Sequence, residues 1–292
     1  MPVRLATRSW ADGPGASSGV GPGGGVAVAE GPLALLLHGV TSSSRTWWRV
    51  APELVRRGYR VLAVDLRGHG ASPRVSDGLV LGDLTADVIE TLRLDGPRPA
   101  AGQRAAGPGL MVDLLVGHSL GAVVALDLLA KAPWLARRLV LEEPPGPTGI
   151  DWESMAEGME ADGRRAREEP DATRRELVTS NPAWDPEEVD RRLADLAACD
   201  ATGVAAALRR TTEFDIAALA HAVRIPTLLV VGLEDLGSAL VGPDRTALVG
   251  ALDGRADVEV LDEGHNLHRD AFPRFMSVLD QWLDATARAG EG

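Results

Sequence analysis

Five residues near the middle of the chain, Gly117-His118-Ser119-Leu120-Gly121, have the types and spacing of a nucleophile on a tight turn. The apolar run at 111–116, broken only by Asp113, reads as a short buried strand, and the apolar stretch after Gly121 reads as a buried helix. A strand reversing sharply into a helix strains the central residue and crowds those two before and two after it, which here have no side chain. Ser119 is therefore expected above the sheet. The helix beginning beside it aims free N–H groups at the same point, where an oxyanion would be stabilised. An alkyl hydroxyl is a poor nucleophile at neutral pH, so it needs an imidazole to take its proton and a carboxylate to orient that imidazole.

Strand ends supply both. Apolar runs at 33–37, 60–64, 138–141, 227–231 and 258–261 alternate with helical patterns at 47–57, 82–94 and 244–252. A last helix carries Phe272, Phe275, Met276, Leu279, Trp282 and Leu283 at a 3.6-residue period. This alternation predicts an α/β fold with a mostly parallel sheet covered on both faces, whose functional groups gather beyond the carboxyl ends of the strands. Ser119, Asp235 and His265 each follow a separate predicted strand. His265 is the expected base, ahead of His118, His221 and His268. Asp235 is the expected acid, with Glu142 and Glu143, also at a strand end, as the other candidates. Gly39 follows a buried strand and leaves the Val40 N–H as a candidate second oxyanion donor.

Pro144-Pro145 takes the chain out of the sheet. Residues 146–213 then read as helices with no convincing strand, the clearest opening at Asp185 with Pro186 first and Glu188 completing a capping box. The expected organisation is a core of 1–145 and 214–292 with a helical cap at 146–213, shaping selectivity more than chemistry. The paired arginines Arg174-Arg175, Arg191-Arg192 and Arg209-Arg210 read as solvated helix faces. Asp65-Leu66-Arg67-Gly68-His69-Gly70 is a tight polar loop after a strand, with His69 read as structural rather than catalytic.

At 292 residues and 45% hydrophobic composition the chain can bury one large core. A net charge of −12 argues against nucleic acid and anionic membrane surfaces as partners. With no leader pattern and no spanning apolar run, a cytoplasmic protein acting on a small molecule is expected. The single Cys199 excludes an internal disulfide and a cysteine metal cluster. Gly19, Gly21 and Gly24 fit a dinucleotide fingerprint, but no strand leads into them and no helix follows. No cofactor and no metal are expected.

LLLHGV, DLRGHGAS, VGHSLG, LLVVGLED and EGHNLH, in this order along the chain, resemble the α/β-hydrolase superfamily in its capped subgroup of serine esterases. The resemblance implies an eight-stranded sheet, a triad in the order Ser, Asp, His, a helical cap after strand six, and oxyanion donors at the Val40 and Leu120 N–H groups. Serine at position 119 argues against haloalkane dehalogenases and epoxide hydrolases of this fold, which carry aspartate there. The expected activity is hydrolysis of a carboxylic ester, thioester or lactone of a small apolar substrate through an acyl-enzyme, with Trp47, Trp48 and Trp152 as candidate pocket residues. Carbon–carbon bond hydrolysis, acyl transfer or perhydrolysis on the same triad is the alternative chemistry. A small-molecule receptor on the same scaffold is the alternative of another class.

Overall fold

The computed structural model describes residues 1–10, 31–75, 78–95, 112–148, 150–210 and 215–289. The glycine fingerprint at 19–24 and the linker expected around 95–109 lie essentially outside them.

The chain begins with β1 (Thr7–Trp10), β2 (Leu33–Leu37), α1 (Val50–Arg56), β3 (Arg60–Val64), α2 (Leu81–Asp95), β4 (Val112–His118), α3 (Leu120–Lys131) and β5 (Ala136–Glu142). Four helices follow: α4 (Trp152–Glu168), α5 (Pro170–Ser180), α6 (Pro186–Ala198) and α7 (Ala201–Arg210). The chain then returns through α8 (Ile216–Ala220), β6 (Thr227–Val231), α9 (Gly242–Leu252), β7 (Ala256–Val260), α10 (Leu267–Asp270) and α11 (Phe272–Ala289).

The strands form one sheet in the order β1-β3-β2-β4-β5-β6-β7, parallel except for β1. Seven strands lie among the described residues, where the resemblance implies eight, so the four-helix insertion follows the fifth of them. Period-two alternation divides the core. Leu35, Leu37, Leu115 and Leu139 face α2, α3, α8 and α9, whereas Ala34, Leu36, Val116 and Val140 face α1 and α11. Each fully buried leucine contributes about 2 kcal/mol of hydrophobic stabilisation before chain entropy is counted. β4 lies between β2 and β5 with both faces covered, which is why its sequence from Val112 to Val116 is apolar apart from Asp113. Asp113 meets Tyr59 at 3.0 Å and pairs with Arg138 on β5.

The helix expected at 47–57 splits into a 3₁₀ turn at Ser44–Trp48 and α1. α6 begins where the spacing predicts, with the Asp185 side chain accepting from the Glu187 N–H at 2.9 Å. Glu188 does not complete a capping box. It turns inward, accepting from Trp48 Nε1 at 2.5 Å and lying 3.0 Å from Arg269. Among the described residues no helix is long and apolar enough to cross a membrane.

Candidate active site

Ser119 sits between the end of β4 and the start of α3 with φ 51° and ψ −118°, a strained conformation for a residue with a side chain. The turn is as tight as the spacing predicts: a Cβ on Gly121 would lie 2.2 Å from the Leu37 carbonyl oxygen. The Ser119 N–H donates to the Glu142 carbonyl at 2.9 Å and its carbonyl accepts from Ala122, so the turn is pinned to β5 and to the first turn of α3. The Ser119 hydroxyl, by contrast, has no partner among the described residues. Leu120 opens α3, so its N–H has no acceptor within the helix. Val40 sits in a turn closed by Ser42 N–H donating to the Gly39 carbonyl at 3.2 Å. Val40, Ser119, Leu120 and His265 border one cleft.

His265 lies in the loop after β7, held close by Gly232 at the end of β6, where a Cβ would lie 2.3 Å from the Gly264 carbonyl oxygen. Its Nδ1 is 3.1 Å from Glu143 Oε2. The carboxylate that meets His265 is thus Glu143 and not Asp235, the acid expected from the sequence. Asp235 lies in an exposed 3₁₀ turn, Glu234–Leu236, and makes no bond to His265. Glu143 is fully buried and its carboxylate is saturated with donors. Oε1 accepts from Gly232 N–H at 2.6 Å and Ser238 Oγ at 2.7 Å, and Oε2 from Ala239 N–H at 2.6 Å as well as from His265. Glu143 reaches this position through φ 49°, while its own N–H continues the ladder to the Val230 carbonyl at 3.0 Å.

Behind this pair lies a second buried layer. His118 Nε2 donates to the His265 carbonyl at 3.0 Å and so ties the turn carrying Ser119 to the loop carrying His265. Glu142 holds His268 Nδ1 at 2.8 Å, and Thr46 Oγ1 lies 2.5 Å from His268 Nε2. Burial pushes His118 and His268 well below the ordinary imidazole range and raises the Glu142 carboxyl. Ligand atoms of His118, Glu142 and His268 fall within 4.8 Å of one another, the arrangement among the described residues nearest to a metal cluster. Both His268 nitrogens are already engaged inside the fold, so the group reads as structural. Among the rival histidines, His118 and His268 thus support the site, and His221 lies away from it at the end of α8.

The cleft beside Ser119 encloses about 820 Å³ including its mouth, with a mostly apolar lining that includes Leu84, Val123, Met155, Val204 and Leu208. Trp152 borders it; Trp47 and Trp48 do not. Trp47 is fully buried against His268, with ring centroids 4.7 Å apart, and Trp48 is engaged by Glu188 under the Arg191 guanidinium. Two tryptophans of the expected pocket are thus framework, because the 3₁₀ turn aims one into the core and the other at α6. Arg67 and His69 also border the cleft. Arg67 is neutralised by Asp87 through Nε at 2.7 Å and Nη2 at 2.6 Å. His69 donates from Nδ1 to the Arg67 carbonyl at 3.1 Å, and burial brings it down to about 3, so it stays neutral as a structural loop histidine does. A second, polar cleft also borders His265, lined by Asn181, Trp184, Glu263 and Asp270 among others.

The model of a family described as the alpha/beta hydrolase family matches residues 34–277, most of the chain. The chain belongs to this family. Among curated relatives, a Variovorax paradoxus protein provisionally named carbamate hydrolase RutD is 28% identical, over 89% of this chain and 93% of its own length. Among solved structures, a thermophilic esterase from Thermogutta terrifontis superposes with a TM-score of 0.68 at 21% identity, covering 96% of this chain and 93% of that one. The N-formylmaleamic acid deformylase from Pseudomonas putida S16 gives 0.66 at 23% identity, covering 86% and 92%. At such identities the two structures establish the hydrolase fold for this chain.

Proposed function

We propose that this alpha/beta hydrolase is a serine hydrolase that cleaves a carboxylic ester, thioester or lactone through an acyl-enzyme, without a cofactor. The observation that carries the reading is the Glu143–His265 contact at 3.1 Å on the rim where Ser119 stands in its strained turn. Glu143 accepts the Nδ1 proton and thereby leaves Nε2 unprotonated, the tautomer that can take the Ser119 proton. Ser119 attacks the carbonyl carbon, and the Val40 and Leu120 N–H groups hold the tetrahedral oxyanion. As the tetrahedral intermediate collapses and the C–O or C–S bond breaks, His265, now charged beside Glu143, returns the proton to the leaving oxygen or sulfur. Water repeats the sequence on the acyl-enzyme. The apolar cleft would take the acyl group, with Trp152 in its wall, under a cap formed by residues 146–213.

The relative named for a carbamate supports a second bond type. A carbamate presents the same carbonyl and needs the same oxyanion donors, so the machinery would accept it if the cleft does. Initial rates on nitrophenyl esters of graded acyl length and on a nitrophenyl carbamate, for wild type and Ser119→Ala, test both. Ser119→Ala is expected to lose about 10⁶ in turnover with the fold intact. Activity surviving within tenfold would refute the assignment.

A further inference from the structure

The turn that carries Val40 is held from outside. It runs from Gly39 to Ser42, with Val40 and Thr41 at its centre, and Thr41 has φ 57°. A positive φ at this position suits glycine or asparagine, and a branched side chain persists there only when its surroundings fix it. What fixes it is α6. Arg192 donates from Nη1 to the Thr41 carbonyl at 2.7 Å and from Nη2 to Thr41 Oγ1 at 3.0 Å. This two-pronged grip explains why a threonine stands where a glycine would be relaxed: glycine offers no Oγ1. Near one turn further along α6, the fully buried Asp195 accepts from Ser42 Oγ at 3.3 Å and from Ser43 Oγ at 2.5 Å. Arg269 Nη2 completes the enclosure, donating to Ser42 Oγ at 3.0 Å. Burial and the nearby Arg269 charge lower Arg192 to about 10, and it is still a cation at neutral pH.

We propose that Arg192 is a positioning residue for the reaction, holding the Gly39–Ser42 turn so that the Val40 N–H points into the cleft. The helical insertion then completes the oxyanion hole as well as shaping the pocket. This rests on the serine hydrolase reading above. It differs from the expectation that the insertion shapes selectivity more than chemistry. A released turn weakens the tetrahedral intermediate whatever the substrate's size, so the effect should fall on kcat rather than KM.

The test compares wild type, Arg192→Met, Arg192→Lys and Arg191→Met on nitrophenyl acetate, a substrate too small to probe the far cleft. Inhibition by phenylboronic acid, whose adduct with Ser119 would place a negative oxygen where the oxyanion forms, is measured alongside. Complete loss of one donor typically costs 10²- to 10³-fold. A displaced donor should cost less, so Arg192→Met is expected to lower kcat by about 10- to 100-fold and weaken boronate binding by a similar factor. KM should stay within about threefold, Arg192→Lys should recover part of the loss, and Arg191→Met should match wild type. Unchanged kcat and boronate affinity in Arg192→Met, with Ser119→Ala inactive, would overturn the clamp while leaving the triad standing. Activity retained in Ser119→Ala would instead remove the reading on which the clamp rests. Should Arg192→Met fail to fold, Arg192→Lys decides: reduced kcat with weakened boronate binding supports the clamp, and wild-type values overturn it.

Discussion

Replacing Glu143 by glutamine separates the two candidate acids. The carboxylate meets four donors, with Gly232 N–H and Ser238 Oγ on Oε1, and Ala239 N–H and His265 Nδ1 on Oε2. An amide has one acceptor oxygen and one NH₂ group, and either orientation sets that NH₂ against a main-chain N–H that cannot accept. With NH₂ on the Ala239 side, His265 must accept at Nδ1 and carry its proton on Nε2, the wrong tautomer for a base. With NH₂ on the Gly232 side the tautomer survives, but the imidazolium formed during attack loses its negative partner. Both routes lower turnover, and the tautomer error alone costs up to about 10⁴, or roughly 5.5 kcal/mol of transition-state stabilisation. The unpaired buried donor should also cost about 1–3 kcal/mol of folding stability. Asp235→Asn alters an exposed side chain and should change stability by no more than about 0.5 kcal/mol, with activity close to wild type. Initial rates with nitrophenyl acetate, on samples whose folding is checked by urea titration, give both quantities. A larger rate loss in Asp235→Asn than in Glu143→Gln, or Glu143→Gln active within tenfold, would refute the assignment of Glu143.

Other expectations follow from burial and packing. Gly121→Ala would drive a Cβ to 2.2 Å from the Leu37 carbonyl oxygen, a backbone contact that cannot relax cheaply. It should destabilise by about 3 kcal/mol, lowering Tm by roughly 6 °C; an unchanged Tm in a calorimetric scan would show that the turn has slack. His38, His69, His118 and His268 are held below the ordinary imidazole value, chiefly by burial. The unfolded chain binds their protons near pH 6.5 and the folded chain does not. Their contribution is therefore present above pH 6.5 and lost as pH falls toward about 3 for His69, at up to about 1.4 kcal/mol per pH unit for each histidine. Buried Glu142, shifted upward, contributes with the opposite slope and offsets part of this. Urea midpoints that stay level from pH 7 to pH 5 would contradict it. Burial also raises the Cys199 thiol to about 12. An aromatic disulfide reagent at pH 8 should find no reactive thiol in the native protein and one after unfolding in guanidinium, so rapid native labelling would show that α6 opens.

The sequence by itself determined the tight turn that carries Ser119, the strand-end loop that carries His265 and the layered α/β core, because each is written in local spacing. Glycines two residues either side of Ser119 encode its turn, period-two alternation encodes the two faces of the sheet, and His265 follows its strand within a few residues. Which carboxylate meets His265 depended on geometry that no local pattern carries. Glu143 and Asp235 follow neighbouring strands, β5 and β6, which pair Glu142 with Val230, so both stand near the same point on the rim. What separates them is the direction of the chain after each strand. Glu143 turns inward through φ 49° onto the N–H groups of Gly232 and Ala239, while the 3₁₀ turn carries Asp235 outward. Tertiary packing also split adjacent arginines of one helix. Arg191 bonds Glu187 and lies over Trp48, whereas Arg192, 100° further round the same helix, turns onto Thr41, 151 residues away in sequence. A spacing rule sees two arginines in a row as one solvated face. Only the surface that α6 packs against decides which of them lies over Trp48 and which meets the turn beside Ser119.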